Sequence, residues 1–251
     1  MNSNPTNSPL SADSRILDIA HVAIETTGRL GSVAVLRGQR VIRKVNLHPD
    51  QRSAATLAPA LKDVLDWCKQ QGHPPALVSV ADGPGSFTGL RIGITTAKTL
   101  CYALELPLVS VDSLAAIAAA ALHDHPRCQS IWAVLNAYRG QVFLGKFDRS
   151  TLLPDASSLP VNWTTHPEST EILQHPDWDE HLQNKPPNIE LTGDKQALHA
   201  CSRPVLSREC DAIGVGLLAF RALARQQFSD PMQLVPRYLK PSAAEEKVSD
   251  S

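Results

Sequence analysis

Aromatic residues make up only 5% of the 251-residue chain. The four tryptophans, Trp67, Trp132, Trp163 and Trp178, stand too far apart to form a stacking platform for bases. A dominant charge is also missing. Lys and Arg number 24 against 25 Asp and Glu, a formal net charge of −1. No overall basic field therefore draws the chain to nucleic acid, and phosphate contacts would fall mainly to another protein. No two cysteines form a C-x-x-C pair. Cys68, Cys101, Cys128, Cys201 and Cys210 are an odd set of scattered thiols, which suits a reducing compartment. The nine histidines include no H-E-x-x-H and no paired Cys/His ligand set, so no protein-bound metal is expected. No apolar run approaches the roughly 20 residues that cross a bilayer. The first fourteen residues are polar and proline-bearing, without the basic start and apolar stretch of a signal peptide. A disordered tail over 1–14 and a cytoplasmic, membrane-free protein are the expectation.

What is present is an ordinary globular composition, 43% hydrophobic and 20% charged, long enough for one large domain or two small lobes. Three β-rich runs, 16–24, 32–36 and 40–47, are separated by the turns at Thr27-Gly28 and Gly38 and predict an antiparallel meander. A helix follows over 53–71, with Leu57, Leu61, Val64, Leu65 and Cys68 on one apolar face. Then come a short apolar strand, 77–81, a glycine-rich turn, a helix to about 104, a strand at 108–111 and an alanine-rich helix at 113–122. The pattern restarts after 123–127 with strands at 131–135 and 141–147, later a strand at 189–192 and a helix at 212–227. Glu25 then falls on Asn136, a weak internal repeat at a spacing of about 110 residues. The expected lobes are 15–124 and 125–240, with 241–251 a surface tail. Residues 148–187 carry little periodicity. Strand-strand-strand-helix-strand-helix, begun twice, is an α/β pattern of the ribonuclease H-like lobe duplicated in actin-like proteins; spacing alone leaves other doubly wound α/β folds open.

The segment 83–93, G-P-G-S-F-T-G-L-R-I-G, is the sharpest local signal. Ser86 or Thr88 can cap the helix that follows, and free amides at such a start attract anions. It is not a Walker A loop, since no Gly-Lys-Ser/Thr follows. The helix beyond it carries few charges. Gly89, Gly93 and Ala97 form a small-residue stripe, with Arg91, Leu100 and Cys101 on other faces. A helix this apolar is covered on both sides, by its own sheet and by an internal or a partner helix. Glu25 and Asn136 end equivalent strands, where carboxylates in an ATP-using duplicated fold would hold a hydrated magnesium ion. Asn136 is neutral, which weakens such a site. No G-x-S-x-G elbow is present.

At 83–93 the sequence resembles the TsaB family, whose loop reads G-P-G-S-F-T-G-x-R-x-G, over all eleven residues. The stretch 23–27, A-I-E-T-T, is similar to the family's opening A-I-D-T-s/t, and 136–143, N-A-Y-R-G-Q-V-F, to its D-A-R-r-G-E-V-Y. Residues 236–245 resemble its closing P-x-Y-l-R-x-s-A-E. The resemblance implies an actin-like (duplicated ribonuclease H-like) α/β fold of two lobes, each with a mixed sheet flanked by helices. It implies a non-catalytic subunit of the machinery that forms threonylcarbamoyladenosine at position 37 of tRNA. Its partner would be the catalytic subunit TsaD, met through the two helices of the first lobe, with the ATPase TsaE joining the pair. The chain would touch tRNA only indirectly and pair with itself when alone. Carried onto this sequence, the partner face comprises Leu57, Leu61, Val64, Leu65, Cys68, Gly89, Arg91, Gly93, Ala97, Leu100 and Cys101. A nucleotide or anion would lie near Glu25, Thr26, Thr27, Gly83, Gly85, Ser86, Thr88, Asn136 and Arg139. Three departures, Glu25 and Asn136 for the family's Asp and Gln141 for its Glu, each displace or remove a carboxylate. No cofactor is therefore required, and ATP or ADP with Mg would be weak or vestigial. The alternative is a stand-alone actin-like ATPase or kinase, or a glycoprotease-type peptidase.

Overall fold

The computed structural model describes residues 18–240, apart from 29, 49–52, 139, 157–158, 168–169, 175–179, 182–188, 199–204 and 207–208. Both expected tails and Arg139 lie outside the described residues. The chain opens on β1 (Ala20–Glu25), β2 (Ser32–Arg37) and β3 (Arg40–Asn46), then α1 (Ser53–Gln70), β4 (Val78–Gly83), α2 (Phe87–Leu104), β5 (Leu108–Asp112) and α3 (Ser113–Asp124). The order then restarts with β6 (Ser130–Tyr138), β7 (Gln141–Asp148), the short α4 (Arg149–Leu152), β8 (Thr170–Gln174), β9 (Glu190–Gly193), α5 (Lys195–Leu198), β10 (Val205–Leu206) and α6 (Ala212–Ala224).

The two sheets have the orders β3-β2-β1-β4-β5 and β8-β7-β6-β9-β10. In each, the first three strands are antiparallel and the last two join in parallel. The repeat read from Glu25 and Asn136 is thus a repeat of whole sheets. It extends to a pair of glycines: Gly83 ends β4 at φ +133 and Gly193 ends β9 at φ +131. Both turn the chain from a parallel strand into a helix in a region that side chains disfavour.

Alternation along the strands builds three layers of core. Val22, Ile24, Val33 and Val35 point outward against Leu57, Leu61, Val64 and Cys68 of α1 and Ile94, Ala97 and Cys101 of α2. Ala23, Ala34 and Leu36 point inward to the middle layer. Trp132, Val134, Val142 and Leu144 face the far side of the second sheet, under α5. The middle layer is α3 and α6, packed on each other between the two sheets. α6, from the end of the chain, packs chiefly on the first sheet, while α3, from the first half, packs chiefly on the second. The two halves are therefore interlocked. Residues Ser113 through Leu122 of α3 are all buried; Leu114, Ile117 and Leu122 contribute about 1.5–3 kcal/mol each by leaving water.

Asp211 starts α6. Its Oδ1 accepts from the Ile213 and Gly214 amides at 2.8 and 3.4 Å, and its Oδ2 from Lys44 of β3 at 3.0 Å. Asp211→Ala should lower stability by about 1–2 kcal/mol in urea unfolding, since it removes a cap and leaves Lys44 without this carboxylate. An unchanged midpoint would mean that the cap carries no stability.

The expected elements are present with shifted ends. β1 starts at Ala20 rather than 16, α2 starts at Phe87, and α6 stops at Ala224 rather than 227. Gln226, at φ +53, has already left the helical region. β8 and β10 had no signal in the sequence. β8 is an edge strand whose residues are mostly exposed, and β10 is two residues long, so neither carries a hydrophobic alternation.

Candidate functional site

The glycine-rich loop wraps the end of β1. Ser86 caps α2, its Oγ accepting from the Gly89 amide at 3.3 Å. The Ser86 amide donates to the Thr27 carbonyl at 3.1 Å, and Thr26 Oγ1 donates to the Gly89 carbonyl at 2.8 Å. A Cβ on Gly89 would stand 1.9 Å from the Thr26 carbonyl oxygen, and one on Gly93 2.2 Å from Thr26 Oγ1. These glycines are required so that α2 can lie against residues 26–27.

Glu25 is fully buried. Its Oε1 accepts from the Thr27 amide, from Thr27 Oγ1 at 2.6 Å and from the Gly28 amide at 3.0 Å. Oε2 is buried, and the Cys210 thiol lies beside the carboxyl. Burial raises the Glu25 carboxyl to about 7, against the pull of its Thr27 and Gly28 hydrogen bonds. Burial and the nearby Glu25 carboxyl likewise push the Cys210 thiol well up. A carboxyl so enclosed, with one oxygen committed to its own turn, does not fit a hydrated magnesium ion, whose ligands must reach solvent. The structure brings Glu25, Thr26, Thr27, Gly83, Gly85, Ser86 and Gly89 together as one packed turn. Thr88 is exposed on the first turn of α2, and Asn136 belongs to the other sheet, in register with Val142. Among the described residues no group of three His, Cys, Asp or Glu could hold a metal ion, and no helix is long and apolar enough to cross a membrane.

The far side of the loop is closed by Asp82, His166, Arg237 and Tyr238. Asp82, just before Gly83, accepts from His166 Nε2 at 2.9 Å. The Arg237 amide donates to the Asp82 carbonyl at 2.7 Å, and the Arg237 guanidinium reaches Asp112 and, at 3.3 Å, the Gly83 carbonyl. Burial lowers the Arg237 guanidinium, and the Asp82 charge opposes this. Tyr238 stacks on Phe87 with ring centres 4.4 Å apart and accepts from Arg91 Nε at 2.9 Å. A segment from the end of the chain and a loop of the second half thus clamp the loop. Only the sequence likeness over 236–245 pointed to it.

A second candidate surface lies between α1 and α2. Ala58, Leu61, Leu65, Thr95, Thr96, Thr99, Leu100 and Ala103, with Lys62 and Asp66 at the rim, line an open, mainly apolar groove of about 440 Å³. Tyr102 beside it is 88% exposed. Of the eleven residues expected on a partner face, Leu57, Val64, Cys68, Gly89, Gly93, Ala97 and Cys101 are instead turned inward, and Leu61 is 5% exposed at the floor of the groove. The small-residue stripe of α2 packs on Thr26 and on its own sheet, so a second helix cannot use it. Leu61, Leu65 and Leu100 line the groove, and Arg91 is exposed on the α2 surface.

A family model described as TsaD, tRNA N6-adenosine threonylcarbamoyltransferase, matches residues 48–246. The chain belongs to this family. Within it the chain is of the TsaB (YeaZ) type. It is 29% identical over 239 residues to the tRNA threonylcarbamoyladenosine biosynthesis protein TsaB of Bacillus subtilis, covering 92% of this chain and 98% of that one. The TsaB protein of Escherichia coli K12 is 28% identical over 156 residues, 62% of each chain. YeaZ from Pseudomonas aeruginosa superposes with a TM-score of 0.66 at 22% identity, over 88% of this chain and all of that one. The paired five-stranded sheets and this likeness make the fold actin-like, a duplicated ribonuclease H-like α/β fold. The TsaB-type motif G-P-G-S-F-T-G thus has a packing role here: it seats α2 on β1.

Proposed function

We propose that this chain acts in the formation of threonylcarbamoyladenosine on tRNA as a non-catalytic, cytoplasmic subunit that docks onto the TsaD-type catalytic subunit through the α1/α2 groove. The groove carries the reading: Leu65, Leu100 and Ala103, over the buried Leu61, form an apolar strip that the chain itself leaves partly uncovered, and such strips mark protein contacts. The catalytic subunit has the same family model, which here spans residues 48–246 and so includes α1 and α2. Related helix pairs can therefore meet face to face, much as the two halves of an isologous dimer do. A TsaE-type ATPase would join that pair, and tRNA would be held by the other subunits, in keeping with a net charge of −1. Without its partner, two copies would cover the same groove. The subunit needs no cofactor of its own, because the Glu25 turn is closed by its own side chains.

Leu65→Asp with Leu100→Asp should weaken binding to the catalytic subunit of the same cell by at least a hundredfold in titration calorimetry, about 3 kcal/mol for two charges forced into an apolar contact. Wild-type affinity in that variant would remove the groove from the interface.

A further inference from the structure

The end of the chain forms a strap along α2. The Ser229 amide bonds the Leu108 carbonyl just past the helix end at 2.7 Å, Lys98 Nζ bonds the Leu234 carbonyl at 3.1 Å, and Arg91 and Phe87 hold Tyr238 at the helix start. Residues 229–238 therefore run antiparallel to α2 over its whole length. At 3.6 residues per turn, Phe87, Arg91 and Lys98 share one flank of α2, and Thr96, Leu100 and Ala103 the flank toward α1. Thr95 and Tyr102 form the ridge between them, so the strap and α1 lie on opposite sides of one exposed ridge.

The strap alternates. Leu234, partly buried, packs against the core under α1 and α2, and Arg237 is tied to Asp112. Outward, Met232 is 86% exposed, Val235 is 68% exposed and Tyr238 is exposed at its edge. A surface segment with nothing above it ordinarily turns polar residues outward; this one exposes Gln233 but also turns Met232 and Val235 outward on the strap side of Tyr102.

We propose that the docking face is three strips wide, the strap residues Met232, Val235 and Tyr238 meeting the same occupant as the α1/α2 groove. That occupant is the transferase-family catalytic subunit, so the inference rests on the function proposed above. The family match covers α1, α2 and the strap in one stretch, so a paralogue of that family presents the same three strips in return. The ridge of Thr95 and Tyr102, with Tyr102 88% exposed, stands between the two strips, so a partner that covers the groove reaches the strap across it.

The test is titration of the full-length chain with the catalytic subunit from the same cell, comparing the wild type, Met232→Asp with Val235→Asp, Val235→Lys alone, and Val161→Asp. Val161 is as exposed as Met232 but lies on the other half. The expected result is at least tenfold weaker binding for the double variant and a smaller loss for Val235→Lys. Val161→Asp should bind as the wild type does, and all melting temperatures should be unchanged. Wild-type binding by both strap variants, with binding still lost in Leu65→Asp/Leu100→Asp, would overturn the strap's role and leave the groove. Strap variants that lose only self-association, at undiminished affinity for the catalytic subunit, would assign the strap to a second copy and overturn the inference equally. No binding by the wild type would overturn the proposed function itself.

Discussion

Gly89→Ala is expected to lower stability by about 3 kcal/mol or more, or to leave no soluble protein, although it adds one methyl group to a good helix position. The new Cβ would stand 1.9 Å from the Thr26 carbonyl oxygen, a backbone atom that cannot swing aside. The Thr26 to Gly89 hydrogen bond would break with it, leaving buried polar atoms without partners. Gly93→Ala pushes instead on Thr26 Oγ1, a side-chain atom, and should cost less. Urea unfolding of both variants checks the order. If Gly89→Ala folds normally and loses only partner binding, the glycine stripe faces a partner after all and the inward packing of α2 is wrong.

Strands, helices and the duplicated pattern were legible because α1 buries one face at helical period and β1, β2 and α3 are buried runs of apolar and small residues bounded by turn residues. The spacing of Gly89, Gly93 and Ala97 located a close approach correctly in kind. It could not say what approached, because a stripe of small residues looks the same against a partner helix, an internal helix or Thr26. Local periodicity gave no sign of the strap's contacts, for a related reason. Asp82, His166, Asp112 and Arg237 lie far apart in the chain and meet only when the second half folds over the first. The exchange of α3 and α6 between the sheets is likewise a matter of tertiary packing, which no local period encodes.

A second large effect should appear in the pH dependence of stability. The Glu25 carboxyl moves from its ordinary 4.5 to about 7 in the folded chain because burial disfavours its charge. The folded state then holds a proton that the unfolded state releases. The stability linked to it is fully present below about pH 4.5 and is lost as pH rises through about 7, a span worth about 3 kcal/mol. Glu25→Gln keeps the shape and the acceptor for the Thr27 and Gly28 amides but cannot ionise. Its stability relative to the wild type should therefore rise by about 3 kcal/mol between pH 4.5 and pH 8. Buried His21 works in the opposite sense. It is pulled from 6.5 to about 4, so its contribution is present above about pH 6.5 and lost as pH falls through 4. Between pH 4.5 and 6.5 the two slopes oppose each other in the wild type, and Glu25→Gln should expose the His21 slope. Unfolding curves across this range decide the matter. A difference between variant and wild type that stays flat with pH would mean Glu25 is ionised in the folded chain, as a metal or nucleotide site would require.

In the proposed complex the open α1/α2 face is covered by a transferase-family subunit. The most direct measurement is the mass in solution, by gel filtration with light scattering, of this chain alone and then mixed with the TsaD-type protein of the same cell. The expected result is a self-associated species alone that converts, on mixing, to a one-to-one complex. Two unchanged peaks, with this chain a stable monomer throughout, would contradict the claim.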